Sequence, residues 1–465
     1  MYRGKRGRIE GQYGKVRAFD SRAPNRPPSP ARGKLLETLV VGALGGDKII
    51  DYGISGTQYV ASYNWLEKDN STILVPGLPP TWTPLKEPQK MKEDRGDYFR
   101  DPNAARAPIY PIAPAVQSLL AQDEEFPCQS IDLLACTSTL GNLLRYVRGA
   151  EKPFRFWVQI VGNTVFFIRH ENSPAELIPD VKGFGHTFPE TYTTWQWMVK
   201  GSVSHQRLLQ YNLGGLKCII RFQCDGYLPE KLNPSTCEAI LNDSKNLQTQ
   251  DNGVDQLLQN TIISSTRDPE KQTGLKVSKL GCTIPQDAIF ELKTHSIRKI
   301  SEDTLAEELP RFWIAQVPNF VLAHHDRGVF GRIEIVDVRE DLSKWELENQ
   351  HNMKQFQCLV EKIISKAKKD GYGKLEVCYG DNRTLELRTQ AGNNEVLPPQ
   401  LKAQWMKPNE EDTIAGGVKL PTETVEGANR PTFPDCQIYE SDSDSELDYT
   451  ACSAKGCGYC GRCSY

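Results

Sequence analysis

The 465-residue chain has no run of 18 or more apolar residues, and its N-terminus is built from charges and glycines rather than an apolar stretch. The first absence excludes a helical membrane span, and the second leaves no sign of a secretory leader. The expected compartment is the nucleus or the cytoplasm, with no membrane partner. GxxxxGK[ST] and GxSxG are also missing, which removes the usual signals for a phosphate-cradling loop and a serine hydrolase. No DDxxD pair occurs, so isoprenoid diphosphate chemistry has no support.

What is present is a globular composition, 38% hydrophobic and 25% charged, sufficient for one large core or two moderate ones. The net charge of -3 does not describe a generic polyanion binder, yet residues 1–34 carry ten Lys and Arg against Glu10 and Asp20. That segment reads as a solvated, disordered tail, or as a nucleic-acid contact or nuclear-import signal around RGKRGR. Thirteen cysteines, an odd number, read as reduced thiols, apart from four packed into the last fourteen residues.

Along the chain, residues 35–130 are interrupted by PGLPPTWTPLKEP and RAPIYPIAP, which favour extended structure wrapped on a core, an N-terminal elaboration. A core domain is expected over 131–407. It opens with a helical pattern in IDLLACTSTLGNLLRYV, followed by a β-hairpin of FRFWVQIV and TVFFIRH turning at Gly162-Asn163. LKCIIRFQCDGYL and AIFELKT read as strands, and the Asn/Gln/Ser/Asp-rich 230–280 reads as a mobile insertion. Ser301, followed by Glu302 and Asp303, is the expected N-cap of a helix running into RFWIAQ, with Pro310 a kink or restart. Met353, Phe356, Leu359, Val360, Ile363, Ile364 and Ala367 recur at helical spacing, and KLEVCY and TLELRT close the domain as a hairpin. Residues 408–449 read as an acidic linker.

Within a strand, residues two apart share a face, so Gln223 pairs with Asp225 and Glu291 with Lys293. Two such strands side by side make a polar cluster whose carboxylates suit Mg²⁺ or Mn²⁺. A neighbouring lysine can then orient or deprotonate a water beside a phosphate. That chemistry is phosphodiester hydrolysis. An aspartate 66 residues before an ExK is a weak pattern by itself, because surface strands often alternate charges. The bland alternative is exposed strand carboxylates and a surface ion pair for Lys293.

The order of the surrounding segments, from about Ser138 to Trp405, resembles the decapping exoribonuclease (DXO) family. GHTFPETY resembles its GYKFEQY segment and sets Glu190 at its glutamate. NLGGLKCIIRFQCD resembles its strand ending in ExD, IFELKT its ExK strand, and LPRFWIAQVPNFVLAHHDRGVF its helix, strand and turn. The resemblance implies an α+β fold of PD-(D/E)xK nuclease type, a mixed sheet flanked by helices. It further implies Asp225 and Glu291 as metal ligands, Glu190 on a metal-bound water or second ion, and Lys293 positioning the nucleophile. The expected substrate is an RNA 5′ end. Two positions depart: the first carboxylate of ExD is Gln223, and the family's early arginine has no counterpart in TSTLGNLLR. An amide supplies one neutral oxygen and no charge, so affinity for a pair of divalent ions falls. Two readings stay open: a metal-dependent RNA 5′-end nuclease, and a degenerate nuclease fold that binds RNA or a protein.

Cys452, Cys457, Cys460 and Cys463 in the terminal 450–465 form CxxxxCxxCxxC, a set able to close a tetrahedral zinc site, with an iron–sulfur cluster or free thiols as alternatives. This module reads as a tethered contact point for a protein partner, separable from the core.

Overall fold

The computed structural model describes residues 28–43, 52–68, 72–178, 181–238, 240, 274–369, 373–380 and 384–408. The basic tail over 1–27, most of the expected insertion (241–273), the 409–449 linker and the cysteine module lie outside the described residues.

Strands, numbered along the chain, form two sheets. The large one begins with β1 (Leu35–Leu39), β17 (Leu385–Thr389), β16 (Lys374–Tyr379), β6 (Phe154–Val161), β7 (Thr164–Arg169) and β5 (Leu133–Cys136). It continues through β10 (Leu216–Cys224), β9 (Ser202–Leu213), β2 (Ile54–Leu66), β3 (Thr72–Gly77) and β12 (Lys276–Gly281). The small sheet runs β15 (Val329–Asp337), β14 (Asn319–Asp326), β13 (Ile289–Ser296), β11 (Gly226–Tyr227), β4 (Thr81–Trp82) and β8 (Thr193–Thr194). Parallel pairs (β5 with β7 and β10, β3 with β12, β13 with β14) sit among antiparallel ones, making the sheets mixed.

Helices cover both faces of the large sheet. On one face lie α3 (Thr137–Val147), α5 (Thr304–Ala315) and α7 (Gln350–Lys369). Their Leu140, Leu144, Trp313, Phe356, Val360 and Ile363 join Cys218 and Ile220 of β10 in one core. The other face takes Ile219 of the same strand, packed with α2 (Ala113–Gln122) and α8 (Pro399–Trp405). Strand alternation therefore sends Cys218 and Ile220 into one core and Ile219 into another. All seven apolar residues expected along α7 are buried, each contributing on the scale of roughly 1.5–3 kcal/mol for the larger side chains.

Both expected hairpins form. Val161 faces Thr164 across Gly162, whose φ of +59° is one that glycine adopts without strain, and Tyr379 faces Leu385. Several expectations are corrected. Leu133–Cys136 is a buried parallel strand, not the first turn of a helix, because β7 and β10 supply hydrogen-bonding partners on both sides. The cap of α5 is Asp303, whose carboxylate accepts from Ala306 N at 3.1 Å, rather than Ser301, and α5 runs through Pro310 without restarting. Residues 35–130 are not wrapped outside the domain: β2 lies within the large sheet, its Ala61, Tyr63 and Trp65 fully buried. Asn103, in the short helix α1 (Pro102–Arg106), accepts from Tyr63 Oη and Trp65 Nε1, each at 2.8 Å. Likewise the end of the expected insertion, 276–281, is β12, paired with β3. Among the described residues no helix is long and apolar enough to cross a membrane.

Candidate functional site

The site lies where the chain passes from one sheet to the other. β10 ends at Cys224 in the large sheet and β11 begins at Gly226 in the small one, so Asp225 occupies the crossover instead of continuing the strand with Gln223. Gly226 is required there by close approach: a Cβ would stand 2.5 Å from the Phe290 ring and 2.7 Å from Pro80 O. β11 pairs with β13 so that Gly226 faces Phe290 and Tyr227 faces Ile289. One step back in that antiparallel register sets Asp225 opposite Glu291. Its Oδ2 accepts from Leu292 N at 3.0 Å, which fixes the carboxyl against the strand.

Glu291 and Lys293 sit two apart on β13, as expected, and both are buried, at 5% and 7% exposure. Their partners come from the next helix. Arg311 Nη1 is 2.9 Å from Glu291 Oε2, Lys293 Nζ is 3.0 Å from Glu308 Oε1, and Arg311 Nε is 2.9 Å from Glu308 Oε2. Glu308 and Arg311, three residues apart on α5, present one helix face to β13, each 8% exposed. Burial pushes the Glu291 carboxyl well above the usual carboxylate range. Arg311 opposes that rise, while the hydrogen-bonding Asp225 and nearby Glu308 add to it. His295, further along β13, is held at about 4 by burial and by Lys293, so it is neutral near pH 7.

The structure does not gather every expected residue. Glu190 is exposed on α4 (Thr187–Tyr192) and makes no hydrogen bond or ion pair with this cluster among the described residues. The N-terminus of α4 is organised by Asp94, which accepts from His186 N at 2.9 Å and Thr187 N at 2.8 Å and lies 3.0 Å from His186 Nδ1. Gln223 is half-buried at the end of β10, cross-strand from Gln206. Cys452, Cys457, Cys460 and Cys463 lie outside the described residues. Glu308 and Arg311 were not anticipated, although a charged pair at i,i+3 at the start of the otherwise apolar ELPRFWIA is a legible signal.

These residues do not fit a pair of Mg²⁺ or Mn²⁺ ions. Such ions need several anionic oxygens free to face them. Here Glu291 faces a guanidinium, Gln223 brings no charge, and Glu190 is exposed on α4. Among the described residues no group of three or more His, Cys, Asp and Glu side chains is placed to hold a metal. Within the cluster Glu291 and Glu308 face Arg311, and Glu308 also faces Lys293. Glu291, Lys293, Glu308 and Arg311 are also each less than a tenth exposed, a poor position from which to meet a phosphodiester.

Comparison with solved structures bears on the fold. The crystal structure of Scheffersomyces stipitis Rai1 in complex with (3′-NADP)+ and calcium ion superposes with a TM-score of 0.50 at 11% identity, over 82% of this chain and 99% of that one. The S. stipitis Rai1 structure described without ligand gives the same values. Rai1 of S. pombe, at 11% identity, covers 76% of this chain and 99% of its own with a TM-score of 0.48. The α+β architecture inferred from the decapping-family motifs is thus the Rai1 fold. No curated protein matches the chain by sequence. A family model described as "Domain of unknown function (DUF8563)" matches residues 51–405, well over half the chain and the whole of both sheets beyond β1, and the protein belongs to that family.

Proposed function

We propose that the protein recognises the 5′ ends of RNA through a decapping-nuclease fold and binds them without metal-dependent hydrolysis. The fold is that of S. stipitis Rai1, whose crystal structure holds a nucleotide ligand and calcium. The observation that separates binding from cutting is the 2.9 Å ion pair between Arg311 and Glu291, which engages the central carboxylate of the ExK strand. With Gln223 in place of an acid, the cluster has one anionic oxygen donor fewer to hold two ions beside a phosphate. The basic segment 1–34 supplies charge for the RNA backbone.

The second reading, a metal-dependent 5′-end hydrolase, draws on Asp225 lying opposite Glu291 with Lys293 on the same strand. In that reading Asp225 and Glu291 carry the ion and Lys293 orients water. Capped, triphosphate and monophosphate RNAs, incubated with Mn²⁺ or Mg²⁺, divide the two. Retention of 5′-labelled RNA on the protein with no released product is the expected result. Metal-dependent release that disappears in Asp225→Ala/Glu291→Ala establishes the hydrolase, and absence of both binding and release removes RNA as the ligand. A nuclear or cytoplasmic site of action, and a zinc module at Cys452, Cys457, Cys460 and Cys463 for a protein partner, complete the proposal.

A further inference from the structure

We infer that Arg311 is a built-in counter-ion that stands in for a divalent cation at the Asp225–Glu291 pair, leaving this position closed to metal in the native chain. The geometry is specific. Arg311 reaches Glu291 with Nη1 at 2.9 Å and Glu308 with Nε at 2.9 Å, and Glu308 in turn holds Lys293 at 3.0 Å. A guanidinium is planar, permanently charged and suited to spanning two carboxylates. It therefore does for Glu291 and Glu308 what an ion would otherwise do, and it is attached to the chain, so its local concentration is not set by solution metal. Entry of an ion requires moving Arg311 out of a position 8% exposed and leaving two buried carboxylates behind. Glu308 is the second half of the device. It anchors Arg311 from the preceding helical turn and draws the Lys293 ammonium toward α5.

The inference deepens the binding reading above and rests on it for its functional meaning, but its test uses metal without RNA. Loss of RNA recognition and gain of metal binding are therefore separately visible. Removing Arg311 and Glu308 together preserves the formal charge of the cluster, taking away one cation and one anion. Asp225, Glu291 and Lys293 then remain as a D…ExK set.

The experiment is calorimetric titration of MnCl₂ into the full chain, with Glu291→Gln as the reference for ions bound elsewhere. The native chain and Glu291→Gln are expected to give the same isotherm. Arg311→Gln/Glu308→Gln gains one further site, and that site vanishes when Glu291→Gln is added. Arg311→Lys, which retains a cation, gains none. Two results overturn the inference: a native site that Glu291→Gln abolishes, or a double variant with an intact unfolding transition that gains no site. If the double variant does not fold, Arg311→Met, which keeps a long apolar side chain at that position, is titrated in its place and read by the same criteria.

Discussion

The Lys293 ammonium lies 3.0 Å from the Glu308 carboxylate, which bridges it to Arg311. Glu308 is thus an acid shared by both buried cations, and its loss takes a carboxylate from each. Glu308→Ala is expected to cost about 3–5 kcal/mol, the penalty for breaking a buried ion pair from one side. Lys293→Met/Glu308→Leu, which replaces a pair by apolar groups, should recover much of that loss. Urea unfolding of the two variants measures the difference, and equal destabilisation contradicts the shared role.

Gln223→Glu restores a carboxylate beside Asp225 but leaves Arg311 on Glu291. It is expected to bring no Mn²⁺-dependent release from 5′-labelled RNA. A rise in product over the native chain would show that the missing acid, and not the arginine, limits the site.

Asp94 gives a pH dependence of defined sign. Burial raises its pKa, but the His186 side chain and the Thr187 and His186 backbone N–H groups outweigh burial and hold it below its ordinary value. An acid depressed on folding contributes stability above its unfolded pKa of about 3.9, and that contribution is lost as pH falls through the lower folded value. Asp94→Asn should remove the contribution at pH 7, costing about 1–3 kcal/mol for the capped α4 terminus, and should flatten the stability profile below pH 4. Chemical unfolding at a series of pH values tests both parts.

Trp405 sets where the core ends. It is fully buried, donates from Nε1 to Thr164 Oγ1 at 3.0 Å, and accepts from Gln129 Nε2 at its carbonyl. A chain shortened to end at Lys407 is expected to keep the native unfolding transition while losing bound zinc, measured by elemental analysis. One ending before Pro399 should lose several kcal/mol, because Leu401 and Trp405 leave the cavity they fill, at about 2–5 kcal/mol per large side chain.

Phe356 of α7 packs beneath Trp313 with ring centroids 6.2 Å apart. Phe356→Ala should destabilise by about 3–5 kcal/mol without altering RNA retention, since the lost contacts lie in the core below the site. A selective loss of RNA binding at full stability would place the site elsewhere.

Several features were legible in the sequence because they are local. The Phe154–Arg169 hairpin follows from two β-branched, aromatic runs around Gly162-Asn163, and α7 follows from seven apolar residues at helical spacing. The shared face of Glu291 and Lys293 follows from the two-residue strand period. What only the tertiary structure decided depends on partners distant in sequence. Leu133–Cys136 became a strand because β7 and β10 flank it, and β2 became an interior strand because Asn103 and β9 complete its polar and backbone bonding. Asp225 met Glu291 because the chain changes sheets at that residue. The sequence by itself singled out Asp225, Glu291 and Lys293, since residue identity and strand period specify them, but not Glu308 or Arg311, which come from a separate helix. Whether those groups face a metal or an arginine was decided by the docking of α5 on β13, because the low dielectric of a buried interface makes the nearest opposite charge, and not the motif, the partner that prevails.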